Sequence, residues 1–134
     1  MSRLLPLRSS VDLSDDREPR LVELDDETAE DVFDALSSQT ARTVLAALYE
    51  DPHTASDLAD LADTSVQDAQ YHLKRFTAAD LVEVVDMWYS DHGAEMKVYA
   101  PVDKSLVIFA GQEKKSSLRT LLHRFVGAVT CSGS

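Results

Sequence analysis

A length of 134 residues, 44% hydrophobic and 28% charged, suits one folded domain with a modest core and argues against a disordered chain. No apolar run reaches the roughly 18 residues needed to cross a bilayer, and the opening MSRLLPLRSS lacks the apolar stretch of a secretory signal, so a cytoplasmic protein is expected. The single cysteine, Cys131, allows neither an internal disulfide nor a thiolate metal site. The formal charge of −11 is uneven: residues 1–63 carry 16 acids against 5 Lys/Arg, whereas residues 64–134 carry 8 of each. Sixteen of the 24 acids are Asp and only five residues are Lys, a surface suited to staying hydrated in a salt-loaded cytoplasm.

Residues 1–24 mix two prolines with charges and show no sustained period, which predicts a flexible arm. From Asp25 or Asp26, Ala29, Val32, Phe33 and Leu36 fall at i, i+3, i+4 and i+7, and Glu27, Glu30 and Asp31 lie near the favourable N-terminal end of the helix this spacing predicts. Ser37 or Ser38 caps a second helix with Ala41, Val44, Leu45 and Leu48 inward, stopped at Asp51-Pro52. Thr54 caps a short third helix that turns Ala55, Leu58, Ala59 and Ala62 inward. After the turn at Asp63-Thr64, Ser65 caps a fourth helix with Val66, Ala69, Leu73 and Phe76 on its inner face. Its outer face holds Gln67, Asp68, Tyr71, Lys74 and Arg75, with Gln70 and His72 on the flanks.

Beyond Leu81 the period changes to two. VEVVDMWY and EMKVYAPV flank SDHGA as two strands joined at a tip containing Gly93. SLVIFAG is a short apolar run, read as a strand or a buried connector. Leu118, Leu121, Leu122, Phe125, Val126 and Val129 then form the cleanest helical stripe in the chain, predicting a helix over residues 113–128. Three segments result: an arm over 1–24, a domain over 25–103, and an apolar segment with a terminal helix over 104–134. The fold class is mostly α with a small β-ribbon.

Helix, helix, helix, turn, helix and two-stranded ribbon follow in the winged helix-turn-helix order. The run LSSQTARTVLAALYEDPHTASDLADLADTSVQDAQYHLKRFTAADLVEV, continued by HGAEMKVYAP, resembles the ArsR-like family of small winged-helix transcription regulators over residues 26–101. Together with the acidic composition, it looks most like the short regulators of salt-loving archaea. Asp80 stands where that family often has Gly before the Leu-Val pair, and Asp tolerates a left-handed backbone better than most residues.

The resemblance implies a homodimer on double-stranded DNA, with residues 65–78 in the major groove and the hairpin, residues 82–101, on the adjacent backbone or minor groove. Gln67 and Gln70 offer amides suited to adenine edges, and Lys74 and Arg75 can reach guanine or phosphate. Ser65 and the helix start present backbone amides to a phosphate, and Tyr71 suits a sugar or a thymine methyl. Asp68 shares this face, while His92 and Lys97 would stand at the wing. Recognition helix and wing are expected to be neutral to weakly basic, with the acid facing away from DNA. A dimer interface is expected from Leu118, Leu121, Leu122, Phe125 and Val129 against Val32 and Phe33. In the terminal helix only His123 and the distant Glu113 are candidate metal ligands, a poor spacing. No Gly-rich phosphate loop, nucleophile elbow or paired catalytic set is present, so a non-enzyme without cofactor is expected, its effector undefined. The competing reading is a protein-interaction module that docks through its acidic first half, at Asp57, Asp60 and Asp63.

Overall fold

The computed structural model describes residues 17–111 and Thr120. In chain order it comprises β1 (Pro19–Glu23), a 3-10 turn (Glu27–Ala29), α1 (Glu30–Ala35), α2 (Gln39–Glu50), β2 (His53–Thr54), α3 (Ala55–Leu61), α4 (Val66–Ala78), β3 (Val82–Tyr89), β4 (Glu95–Pro101) and β5 (Ser105–Phe109). The architecture is a winged helix-turn-helix: four helices and a small antiparallel sheet ordered β2-β4-β3. Among the described residues no helix is long and apolar enough to cross a membrane.

The helices begin where hydroxyls and carboxylates can satisfy their first amides. Ser38 accepts from the Ala41 amide at the start of α2. At α3, Thr54 and Asp57 form a reciprocal capping box, and Ser65 accepts from the Asp68 amide at 3.0 Å to start α4. The predicted first helix opens differently: Asp26 caps the 3-10 turn, and α-helical geometry begins only at Glu30.

Two helices end in the same device. After α3, Thr64 N donates to Ala59 O at 2.9 Å while Asp63 adopts φ 54°. After α4, Leu81 N donates to Phe76 O at 2.8 Å and Asp80 N to Thr77 O at 3.0 Å, with Asp80 at φ 59°. These are Schellman closures whose left-handed position, usually glycine, is filled by aspartate.

The apolar stripes converge as expected on one core, centred on Phe76 and Val44, with Leu48, Leu58, Leu73, Leu81 and Val82 around them. Two positions depart from the periodicity. Val66, at the exposed first turn of α4, is 44% accessible, whereas His72, expected on a flank, is buried at 8%. Thr54 is also buried, at 2%, and the enclosed Tyr49 hydroxyl has no hydrogen-bond partner among the described residues. Burial, with the nearby Asp103 carboxylate, pushes it up to about 12, against the opposing pull of Arg17 and Arg20.

Within the arm expected over residues 1–24, the described part contains a strand. Pro19–Glu23 pairs in parallel with Ser105–Phe109, from Pro19 opposite Ser105 to Glu23 opposite Phe109. The run SLVIF is therefore a strand, and the segment boundaries expected at 24 and 103 cut a sheet that joins both sides of the domain. Parallel strands need a long crossover; here the helices and hairpin between β1 and β5 supply it. Consecutive residues of a strand point to opposite faces, and Leu21 and Val22 are both buried, at 5% and 4%, so both faces of β1 are covered. The expected helix over 113–128 lies outside the described residues, as do Leu118, Leu121, Leu122, Phe125 and Val129.

Candidate nucleic-acid interface

Helix α4 presents its polar face to solvent because Ala69, Leu73 and Phe76 bind the opposite side to the core. Gln67, Gln70, Tyr71 and Lys74 are exposed and Arg75 is half-buried. Their spacing of 3, 4, 7 and 8 from Gln67 makes one stripe, with Gln70 at one margin and Arg75 at the other. Tyr71 and Arg75 are not independent: the guanidinium donates to the Tyr71 hydroxyl at 2.7 Å, and its carbon lies 5.6 Å from the Tyr71 ring centroid. This i, i+4 pair presents a hydroxyl, a ring and a cation as one unit.

Asp68 shares the first turn but is engaged locally. Its carboxylate accepts from the Thr64 hydroxyl at 2.7 Å and stands 3.6 Å from His72 Nε2. The negative group thus bridges the turn to the helix beside Ser65, where a phosphate was expected to meet backbone amides. His72 lies beneath, its ring edge-on to Tyr71 at 5.4 Å and stacked on Phe76 at 6.4 Å between centroids. It therefore packs the helix against the domain.

The wing differs from its expected charge. His92 and Lys97 are both exposed, and the tip is fastened by Ser90, whose hydroxyl accepts from the amides of His92 at 3.3 Å and Ala94 at 3.1 Å. Gly93 takes φ 80° at this turn, a conformation that disfavours other residues. Yet the hairpin carries Glu83, Asp86, Asp91 and Glu95 against Lys97 alone. The expectation of a neutral to weakly basic wing fails because the balance of charges in the second half of the chain averages basic and acidic segments. Only α4 has the expected sign, with Lys74 and Arg75 against Asp68.

Two of the three acids assigned to protein docking have structural roles. Asp57 completes the capping box of α3, Asp63 occupies the left-handed position that closes it, and Asp60 is exposed. Val32, expected at a dimer interface, is 1% accessible inside the core, leaving Phe33, half-buried, as the member of that pair with free surface. Among the described residues no group of three or more His, Cys, Asp or Glu side chains could hold a metal ion.

The residues that hold α4 at its far end had no signature in the sequence. Arg20 of β1 donates at 3.0 Å to the carbonyls of Ala79 and Asp80 and stands 4.0 Å from Asp103. Arg17 donates to Pro101 O at 2.8 Å. Together they tie β1 to the end of α4 and to the end of the wing. Their partners lie 59 to 84 positions away, beyond any local period. By contrast, the spacing of Tyr71 and Arg75 could have disclosed their pairing.

Residues 24–85 match a family described as a helix-turn-helix domain. No curated protein matches the chain. Among solved structures, an ArsR family transcriptional regulator is similar at 18% identity with a TM-score of 0.46, over 81% of this chain and 99% of that one. NolR from Sinorhizobium fredii is similar at 16% identity with a TM-score of 0.45, over 78% and 82%. The homodimeric winged helix-turn-helix DNA-binding domain of a possible ArsR-family regulator from Mycobacterium bovis gives 15% identity and a TM-score of 0.46, over 75% and 80%. The overlap with these structures is partial, so the fold assignment rests on the element order and the matched domain.

Proposed function

We propose that this chain is a sequence-specific, DNA-binding transcription regulator of ArsR-like type, adapted to high salt, that places α4 in the major groove. The observation that carries this reading is the exposed stripe of Gln67, Gln70, Tyr71, Lys74 and Arg75 on a helix held rigidly by a helix-turn-helix domain. Amide and guanidinium groups of this kind read base edges, and the supporting core keeps their spacing fixed. Asp68, also expected among the contacts, accepts from the Thr64 hydroxyl at the same turn. On the wing, His92 and Lys97 are the groups suited to phosphate.

Dimerisation belongs to the same reading. It is supported by the apolar stripe at Leu118, Leu121, Leu122, Phe125 and Val129, which would set two copies of α4 on successive half-sites. Selection from a randomised duplex library tests the whole reading. The natural chain should enrich a two-fold symmetric motif, and a Gln67→Ala, Tyr71→Ala, Arg75→Ala variant with unchanged helical circular dichroism should enrich none. Absence of any motif with the natural protein would reject DNA reading by this helix; an enriched motif without symmetry would reject the dimer alone.

A further inference from the structure

The wing also exposes apolar residues that have no part in the proposed DNA contacts. On β3, Val84, Val85, Met87 and Tyr89 are exposed at 44%, 48%, 36% and 66%. Single exposed apolar residues are ordinary, but these four crowd into six consecutive positions of one strand. That strand is the edge of the β2-β4-β3 sheet, so one side of its backbone faces no other strand among the described residues. Met87 stands opposite Lys97 and Tyr89 opposite Glu95, which places Met87 and Tyr89 on one face. Asp86 lies on the other, where it accepts from Trp88 Nε1 at 3.2 Å.

Charge selects what could cover this edge. Glu83, Asp86, Asp91 and Glu95 outnumber the single Lys97 on the hairpin, so a polyanion approaching β3 meets repulsion. A second copy brings the same excess of carboxylates, so two such hairpins repel each other. Free edges are commonly blunted by lysine, and an inserted bulge is another device. The irregularity between Val84 and Asp86 is such a bulge, but no lysine stands on β3.

We propose that the outer edge of β3 is a docking strand for an extended segment of a partner protein in which apolar residues alternate with lysine or arginine. Its apolar side chains cover Val84, Met87 and Tyr89, whose partners Tyr99, Lys97 and Glu95 lie on one face, and its cations meet Asp86 and Asp91. Strand addition of this kind takes affinity from backbone hydrogen bonds and selectivity from alternate side chains. The inference is independent of DNA reading by α4, because it concerns a different element and the opposite charge preference.

Titration of the isotope-labelled full chain at about 0.15 M ionic strength with two probe peptides of equal charge tests it by amide chemical shift. One peptide alternates Lys with Val, the other Lys with Ser. The Lys-Val peptide should shift the amides of residues 84–89 and bind about tenfold or more tighter than the Lys-Ser peptide. That preference should vanish in a Met87→Ser, Tyr89→Ser variant, whose exposed substitutions leave the core intact and the α4 amides in place. Equal binding of the two peptides would reduce the effect to charge and overturn the proposal. Shifts confined to other elements would also overturn it, as would a DNA duplex perturbing residues 84–89 in place of the peptide.

Discussion

Tyr49 shows how one hydroxyl can cost stability without touching the candidate interface. Its oxygen is enclosed and has no hydrogen-bond partner among the described residues, so it has lost water without replacing it. Tyr49→Phe removes that orphan and should raise stability at neutral pH by about 1 kcal/mol in urea unfolding. The folded-state value is raised from 10.0 to about 12, so the folded chain favours the neutral phenol. That contribution is complete below pH 10 and is lost as the pH rises from 10 to about 12. The natural protein should therefore lose stability more steeply across that window than Tyr49→Phe; parallel alkaline profiles would contradict the burial of this group. At Asp80 the relevant property is backbone conformation. With φ 59° at the end of α4, Asp80→Gly should gain about 1 kcal/mol by relieving the left-handed strain, and it also removes a carboxylate from a helix end that favours cations. Asp80→Val should lose about 1–2 kcal/mol. Urea midpoints of the two variants on the same side of the natural protein would contradict this account.

Among the elements, β1 reaches the end of α4 from across the chain through Arg20. Its parallel pairing with β5 closes the domain around the hairpin, and Arg20 satisfies carbonyls at the end of α4 that the helix itself leaves unpaired. Removing residues 1–24 should therefore lower the melting temperature strongly and weaken specific DNA binding, even though no residue on the exposed face of α4 is altered. Arg20→Ala should do the same in smaller measure, losing about 1–2 kcal/mol. An unchanged melting temperature for the truncated chain would show that β1 is dispensable. The caps and the apolar stripes of α2, α3 and α4 were legible because each depends on neighbours within four positions. β1 was not, since its partner strand lies across the whole domain and PRLVE has no strict alternation.

For the molecule as a whole, charge governs how binding responds to salt. Each α4 offers Lys74 and Arg75, and each wing offers Lys97 with His92, inside a chain of net −11. The proposed dimer would bring three Lys and Arg from each copy, six in all, and would neutralise no more than about that many phosphates, with a slope of log K against log salt of about −0.9 for each one. A slope no steeper than about −5, the value for six phosphates, is expected for the selected motif, measured by fluorescence anisotropy across a salt series. A slope near −8 would require a basic surface that this distribution does not provide. On the proposed reading, affinity at high salt would rest on base-edge hydrogen bonds and packing, to which the paired Tyr71 and Arg75 would contribute.

The sequence by itself determined the helix-turn-helix, its caps and the hairpin, because hydrophobic period, N-cap chemistry and turn residues act over a few positions. It also marked the outer stripe of α4, since helical geometry assigns faces before any tertiary contact forms. Folding decided the rest. His72 left the flank for the interior because Asp68 and Phe76 bracket it, Val32 was consumed by the core, and Val66 was left outside at the helix start. The acidic character of the wing was already written in its residues, but its meaning appeared only once β3 was seen to be an edge strand. The coupling of Arg20 to α4 was beyond sequence reasoning altogether: a hydrogen bond spanning 60 residues depends on where the chain returns, and a local pattern contains no term for that.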